Sequence, residues 1–299
     1  MIVMHSLWLT GLLSLILVTP VHVYAWGLTG HRIVGAIAER HLQPDAANKV
    51  AEILDGYHLQ DVSNWADEIK SERSQFVQSL RDWHYIEVDK HSGFGKATAK
   101  KWPNNLYQAL HFVIRRLEQK QFEPPLTENV LLRLLVHLVA DAHQPLHVGN
   151  GVDLGGNTCR VRWFGSRWTT SLHSVWDTKL IESYKLTYSE YVDYLDHVSE
   201  DTVVQWQKMQ LETWLQESLA LHVAIYPSDR GFSPNVYCAK DRASIPDKMI
   251  PSLGFAYQLA VRPILHQRLL QAGVRLAGVL NHIYGDQAAM PDLTLVDAQ

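Results

Sequence analysis

The sequence predicts one all-α domain with a single short β excursion, and three features predict it. Apolar residues recur at helical spacing along most of the chain beyond residue 25. Only one segment, near 158–170, alternates in the manner of a β-hairpin. No internal repeat, low-complexity tract or shift in composition divides the remainder.

Residues 1–25 read as a signal peptide rather than as part of that fold. The run 7–18 is apolar and has the length of a signal-peptide core, and Pro20 breaks it. Val23 and Ala25 then suit the −3 and −1 positions of a cleavage site. The leading segment departs from the pattern, with His5 and no Lys or Arg. A retained anchor is the alternative, but the apolar run is short for a membrane span. Cleavage leaves 26–299 as the domain, starting at Trp26, secreted or periplasmic and without stable membrane association.

A first helix is expected over 26–40, with Ile33, Val34, Ile37 and Ala38 as its buried stripe. Pro44 suits the first turn of a second, which carries Val50, Ile53 and Leu54 and stops at Gly56. Leu106, Leu110, Val113 and Leu117 predict a helix over 105–119. Pro124-Pro125 breaks the chain, and Thr127 can cap a helix running to about Asp141. That helix is apolar on nearly every side, which predicts a central position. Gly155-Gly156-Asn157 marks a turn, and the hairpin is expected as 158–164 and 167–170 around Gly165-Ser166. Helices return at 172–184 and 201–225. Pro227, Gly231, Pro234, Pro246 and Pro251 make 227–253 a long irregular connection. A last helix spans 255–284, with Pro263 and Gly273 as points of bending.

A length of 299 residues with 46% hydrophobic content suits one large core or two small ones. The net charge of −4 offers no basic surface for gripping phosphates. A phosphate-binding protein is still possible if bound metal supplies the positive charge. Sixteen histidines against two cysteines favour imidazole over thiolate ligation. Export permits a disulfide, and Cys159 and Cys238 are the only pair; two buried thiols are the alternative.

The stretch 137–147 carries the chemistry. A helix puts His137 and Asp141 on one face, and His173 and Asp177 repeat that spacing downstream. Imidazole nitrogen and carboxylate oxygen are donor types that zinc takes. Nine positions qualify as metal ligands: Trp26, His31, Asp67, His84, His137, Asp141, His147, His173 and Asp177. One zinc site does not use that many, so two or three ions sharing a bridging carboxylate are expected. Trp26 qualifies through its α-amine, whose unperturbed pKa of about 7.7–8.0 makes proton loss easy. Its amine nitrogen and carbonyl oxygen could chelate one ion, but only in the processed chain. His143 is expected to support the ligand carboxylates from behind. His41, His58, His91, His111, His197, His222, His266 and His282 read as ordinary histidines.

Trp26-Gly27-x-x-Gly30-His31, Trp65-Ala66-Asp67, His84-Tyr85-Ile86, His137-x-x-x-Asp141-x-x-Gln144-Pro145-Leu146-His147, Gly155-Gly156-Asn157 and Leu172-His173-Ser174-Val175-Trp176-Asp177 together resemble the S1/P1 nuclease family. The stretch 272–281 is similar to that family's ending. The resemblance covers nearly all of 26–299 and implies a mainly helical, secreted three-zinc fold shared with zinc phospholipase C. It implies one zinc on Asp67, His84, His137 and Asp141, a second on Trp26, His31 and Asp141, and a third on His147, His173 and Asp177. Asp67 and Asp141 are then the expected catalytic carboxylates. A water between the two zincs joined by Asp141 would attack phosphorus, and the third zinc would stabilise the leaving 3′-oxygen. Implied substrates are single-stranded RNA and DNA, cut to 5′-phosphate products, and 3′-mononucleotides. Tyr85 stands where the family has a stacking aromatic, and Asp89 is matched to a carboxylate that helps bind the nucleotide. The expected working form is a monomer.

Two rivals remain at this stage. A zinc phospholipase C would have a longer gap before its first histidine and a final Glu ligand, where this chain has His31 soon after Trp26 and Asp177 last. A non-catalytic zinc-binding protein would use the same ligands without open coordination positions.

Overall fold

Thr127 accepts a hydrogen bond from the backbone N–H of Val130 and starts the helix Glu128–His143. Past its first turn every residue but Arg133 is buried, as an all-round apolar helix requires. The helices Leu28–Arg40, Leu106–Glu118, Leu211–Ala220 and Phe255–Tyr284 pack around it. A computed structural model of the chain describes residues 26–88, 93–94, 102–208, 210–228, 234–239, 241 and 244–285. The expected leader 1–25, Asp89, His91 and the end of the expected domain beyond 285 lie outside the described residues. One hydrophobic cluster runs from Trp26 to Leu280.

Where the sequence carries capping residues and apolar stripes, helices form close to their expected bounds. Pro44–Ile53 begins at its proline, and Asn105 caps Leu106–Glu118 by accepting from the N–H of Gln108. Phe255–Tyr284 runs unbroken through both Pro263 and Gly273. Gly273 instead marks a close helix–helix approach: a Cβ there would stand 2.5 Å from the Cβ of Ile37 and 3.1 Å from the carbonyl oxygen of Val34. Asn281 of the same helix ties down the joint between the first two helices, accepting from the N–H of Gln43 and donating to the carbonyl of His41.

Other segments differ from expectation. The span 201–225 is three helices, Glu200–Gln207, Leu211–Ala220 and His222–Ile225, because Gln210 is extended and restarts the chain direction. The helix from Leu172 contains a π-helical turn at Val175–Lys179. The helix Tyr188–Leu195 was not anticipated, although Thr187-x-x-Glu190 is a legible capping box. The short helices Leu59–Val62, Trp65–Glu68 and Gln75–Ser79 are too brief to show a period.

The β structure is confined to short ladders. Arg160–Trp163 pairs antiparallel with Thr170–Ser171, as the hairpin signal requires. Ser252–Leu253, inside the connection expected to be irregular, adds to that strand in parallel. Ile86–Glu87 pairs in parallel with Val148–Gly149, a tertiary contact with no local signal. Cys159 and Cys238 form a disulfide across 79 residues, which excludes the two-thiol alternative.

Gly273→Ala is expected to lower stability by about 1–3 kcal/mol, because two helices must part to admit one methyl group. A thermal unfolding midpoint equal to that of the parent would show that the contact yields freely. Reducing the disulfide is expected to cost about 4 kcal/mol, from the length of the loop it closes. Denaturant titration with and without reductant measures this.

Candidate metal centre

The central helix turns His137 and Asp141 to the same side. The Nδ1–H of His137 donates to the carbonyl of Ser63 at 2.8 Å, which leaves Nε2 as the outward nitrogen. His84, at the end of the turn Arg81–His84, puts Nδ1 3.0 Å from that Nε2 and 3.1 Å from Asp141 Oδ2. His137 Nε2 is 3.2 Å from the same oxygen. Asp67, on the helix Trp65–Glu68, approaches with Oδ1 3.6 Å from His137 Nε2 and 3.9 Å from His84 Nδ1. Four donors from three chain segments thus face one point.

The other oxygen of Asp141 faces different neighbours. Oδ1 is 3.5 Å from His31 Nε2 and 3.4 Å from His147 Nδ1. The His31 ring stacks on His137 at 3.9 Å, which also brings it within reach of Asp67. A third group forms around Asp177, with Oδ2 3.1 Å from His173 Nε2 and Oδ1 3.6 Å from His147 Nε2. The ladder between Ile86–Glu87 and Val148–Gly149 follows directly on His84-Tyr85 and on His147, so it joins the first group to the third. Trp26 is fully buried, and the N–H of Gly27 donates to the carbonyl of Asp177 at 2.6 Å. That bond holds the 26–27 segment beside the third group.

These donors fit metal ions. Zinc with bonds of about 2.0–2.1 Å in a tetrahedron separates its donors by about 3.3 Å, and the spacings above bracket that figure. Several of the atoms are buried with no hydrogen-bond partner: both ring nitrogens of His31, Asp67 Oδ2, Asp141 Oδ1, His147 Nδ1 and His173 Nε2. Burying so many polar atoms unpaired is costly unless a cation meets them.

The electrostatics agree. Burial pushes the pKa of His31 well down and that of His84 to about 4, so both are neutral donors. Burial pushes Asp141 upward, but His137 and His147 outweigh it and hold the carboxylate ionised. At His147 burial also works against charge, yet Asp141 and Asp177 prevail and lift the pKa to about 10. Without a cation, a proton on His147 takes the place of positive charge between those two carboxylates.

Sequence comparison agrees with this arrangement. The sequence model of the S1/P1 nuclease family matches residues 26–285. The chain belongs to the S1/P1 nuclease family. Endonuclease 2 of Arabidopsis thaliana is 31% identical, covering 88% of this chain and 92% of that protein. Endonuclease 5 of the same plant is 28% identical over 96% and 99%. Nuclease S1 of Aspergillus oryzae is 28% identical over 53% and 55%. As an S1/P1 nuclease the chain is a hydrolase, built around groups of histidine and aspartate that can hold metal.

In this S1/P1 nuclease several supporting residues escaped the sequence reading. Lys70 Nζ lies 2.5 Å from Asp67 Oδ1 and adds a cation at the rim of the first group. The Nδ1–H of His173 donates at 2.7 Å to the carbonyl of Gly155, a residue at φ 57° whose Cβ would overlap the carbonyl oxygen of Leu146. The Gly155-Gly156 turn therefore orients His173, a role its turn signal alone does not disclose.

His143 is a correction. Its Nδ1–H donates to the carbonyl of Val139, and its Nε2 meets Arg275 at 3.0 Å beside Trp214. It faces the C-terminal helix, where Glu217 pairs with both Arg268 and Arg275, and its bonds go to neither Asp67, Asp141 nor Asp177. A residue two past Asp141 lies on another face of the helix, which decides the matter. Tyr85, 45% exposed, lines a cavity of about 390 Å³ with Glu87, Phe94, Asn105 and Gln108. Asp82, which accepts from the Tyr85 hydroxyl at 3.1 Å, and Glu87 bring carboxylates to that cavity; the expected Asp89 is not among the described residues.

Adding Zn²⁺ to the ion-free chain is expected to raise its thermal midpoint, with stabilisation reaching about 4 kcal/mol at a thousandfold excess over Kd. It should also release protons, including the one on His147, and so weaken as pH falls. A midpoint indifferent to zinc, or binding without proton release in an indicator assay, would contradict this description.

Proposed function

We propose that this chain is a secreted, three-zinc nuclease and 3′-nucleotidase acting on single-stranded RNA and DNA. The observation that carries the reading is Asp141. It is fully buried, and each of its oxygens faces its own set of imidazoles, as a carboxylate shared by two ions must. The assignment gives the first ion to Asp67, His84, His137 and Asp141. The second goes to the amine and carbonyl of Trp26 with His31 and Asp141, and the third to His147, His173 and Asp177. Bound zinc supplies Lewis acidity and an acidified water at neutral pH.

The chain's own residues do the rest. Three divalent ions against Asp67, Asp141 and Asp177 leave a local positive charge, which attracts a phosphodiester to an otherwise acidic protein. Asp141 and Asp67 are the catalytic carboxylates in the sense that Asp141 joins the ion pair and Asp67 completes the first ion's ligands, and Lys70 holds Asp67 in place. The cavity beside Tyr85 begins one residue after His84, and the reading puts the nucleoside of the reacting phosphate there. Tyr85 offers a stacking face, and Glu87, Asn105 and Gln108 offer polar partners to a base edge. A paired base cannot enter such a cavity, which accounts for a preference for single strands.

Leader removal is part of the reading. Only cleavage after Ala25 gives Trp26 a free amine, and the disulfide suits an oxidising compartment. Products with 5′-phosphate ends and a monomeric working form complete it.

Asp141→Asn is expected to remove two ions together and lower turnover of single-stranded DNA by at least a thousandfold. Metal analysis alongside the assay checks it; full activity with two ions missing would end the shared-carboxylate reading. Tyr85→Ala is expected to raise KM for 3′-AMP about tenfold, from a stacking contribution of about 1–3 kcal/mol per base. One extra residue ahead of Trp26 should abolish the amine chelate, and an extended form with three ions and full activity would refute the N-terminal ligand.

A further inference from the structure

Gln144 ends the central helix between two candidate ligands and is fully buried, yet it is assigned to no ion. Its side chain makes two hydrogen bonds of 2.6 Å. Nε2 donates to Asp177 Oδ1, and Oε1 accepts from the backbone N–H of Leu146. The orientation of the amide is fixed by chemistry, because an ionised carboxylate can only accept and a backbone N–H can only donate. Leu146 immediately precedes His147. One amide therefore grips the carboxylate that supplies Asp177 and the turn that supplies His147, two groups 30 residues apart in sequence. Pro145 lies within that turn, Pro145–His147, and is buried.

We infer that Gln144 is a positioning residue for the third ion: it holds Asp177 and the His147 turn in register and reserves Asp177 Oδ2 for metal. The geometry divides the work between the two oxygens of Asp177. Oδ1 is held by the amide, while Oδ2 stands 3.1 Å from His173 Nε2, a donor spacing suited to zinc. The His173 nitrogen has no hydrogen-bond partner, so nothing else competes for that place. Elsewhere in this centre His137 is held by the carbonyl of Ser63, His173 by that of Gly155, and Asp67 by Lys70 one helical turn away. Asp177 sits on a π-helical turn far along the chain from His147, and Gln144 is the side chain that bridges the two. Outer partners of this kind alter metal affinity by about 10–100-fold. The inference rests on the three-zinc reading above.

The test uses the mature protein and two variants. Gln144→Met keeps the volume and removes both hydrogen bonds. Gln144→Glu keeps the acceptor for Leu146 and, once ionised, has no donor for Asp177, so it is titrated across pH to separate the ionised form from one that shares a proton with Asp177. Zinc per chain is measured during titration with a competing chelator. Both variants are expected to release one ion at least tenfold more readily than the wild type, while two ions stay as tight as before. The ion-free unfolding midpoint serves as control, since a purely structural role would lower it without singling out one ion. Either variant retaining three ions with wild-type affinity would overturn the inference while leaving the three-zinc reading intact. A wild-type protein that never binds a third ion would remove the reading itself. Should neither variant fold, the side-chain amide resonance of Gln144 in the wild type decides. It should shift together with the ring resonances of His147 and His173 as the ion they hold is withdrawn, and a resonance blind to that withdrawal refutes the role.

Discussion

A single buried carboxylate governs the centre of this protein. Asp141 has no access to water, so its charge must be met by protein groups or by cations. Its two oxygens point at different imidazoles, and around them gather His31, His84, His137 and His147 from four separate segments. Those segments could not be brought so close unless something offset the burial of their polar atoms. The helix that carries Asp141 is accordingly the most buried of the long helices described, and the core is arranged around it.

The rest of the architecture holds the donors still. Two-residue ladders are weak as sheets, but Ile86–Glu87 against Val148–Gly149 fixes the segments just after His84 and His147 to each other. Carbonyls of Ser63 and Gly155 set the rings of His137 and His173, so the ring nitrogens left over face inward. On the far side of the central helix, Glu217 pairs with both Arg268 and Arg275, and His143 and Ser218 tie that network to the helix end. Burial raises the pKa of Glu217, but the two guanidiniums outweigh it and hold it below its ordinary value. Its contribution to stability is present above its unfolded pKa and fades as pH falls through the lowered folded one. Charged groups thus meet opposite partners on both faces of one helix, imidazoles around Asp141 on one side and two arginines around Glu217 on the other.

How much of this was legible in the sequence depends on the range of the interaction. Helix bounds followed from caps and stripes at Thr127, Asn105 and Pro44, because those signals act within one turn. The break at Gln210 and the strand Ser252–Leu253 were missed, because a change of direction and a parallel pairing are set by distant segments. The histidines and aspartates could be named from spacing and motif. Of the residues that steady them, Lys70 and Ser63 had no pattern to mark them, and Gln144 stood in the motif without its partners being legible. His143 was read as a support because ligand carboxylates usually have such partners, whereas its bonds go to Val139 and Arg275.

By itself the sequence determined the helical class, the central place of 128–143, the candidate ligands and the family they resemble. These follow from periodicity and from donor chemistry, which are properties of residue order. Tertiary structure alone decided which donors share a point, which oxygen of Asp141 faces which imidazole, and that Cys159 joins Cys238. It also decided that Gln144 spans from His147's turn to Asp177. The physical reason is that a buried polar atom is defined by its partners, and here those partners come from segments tens of residues away.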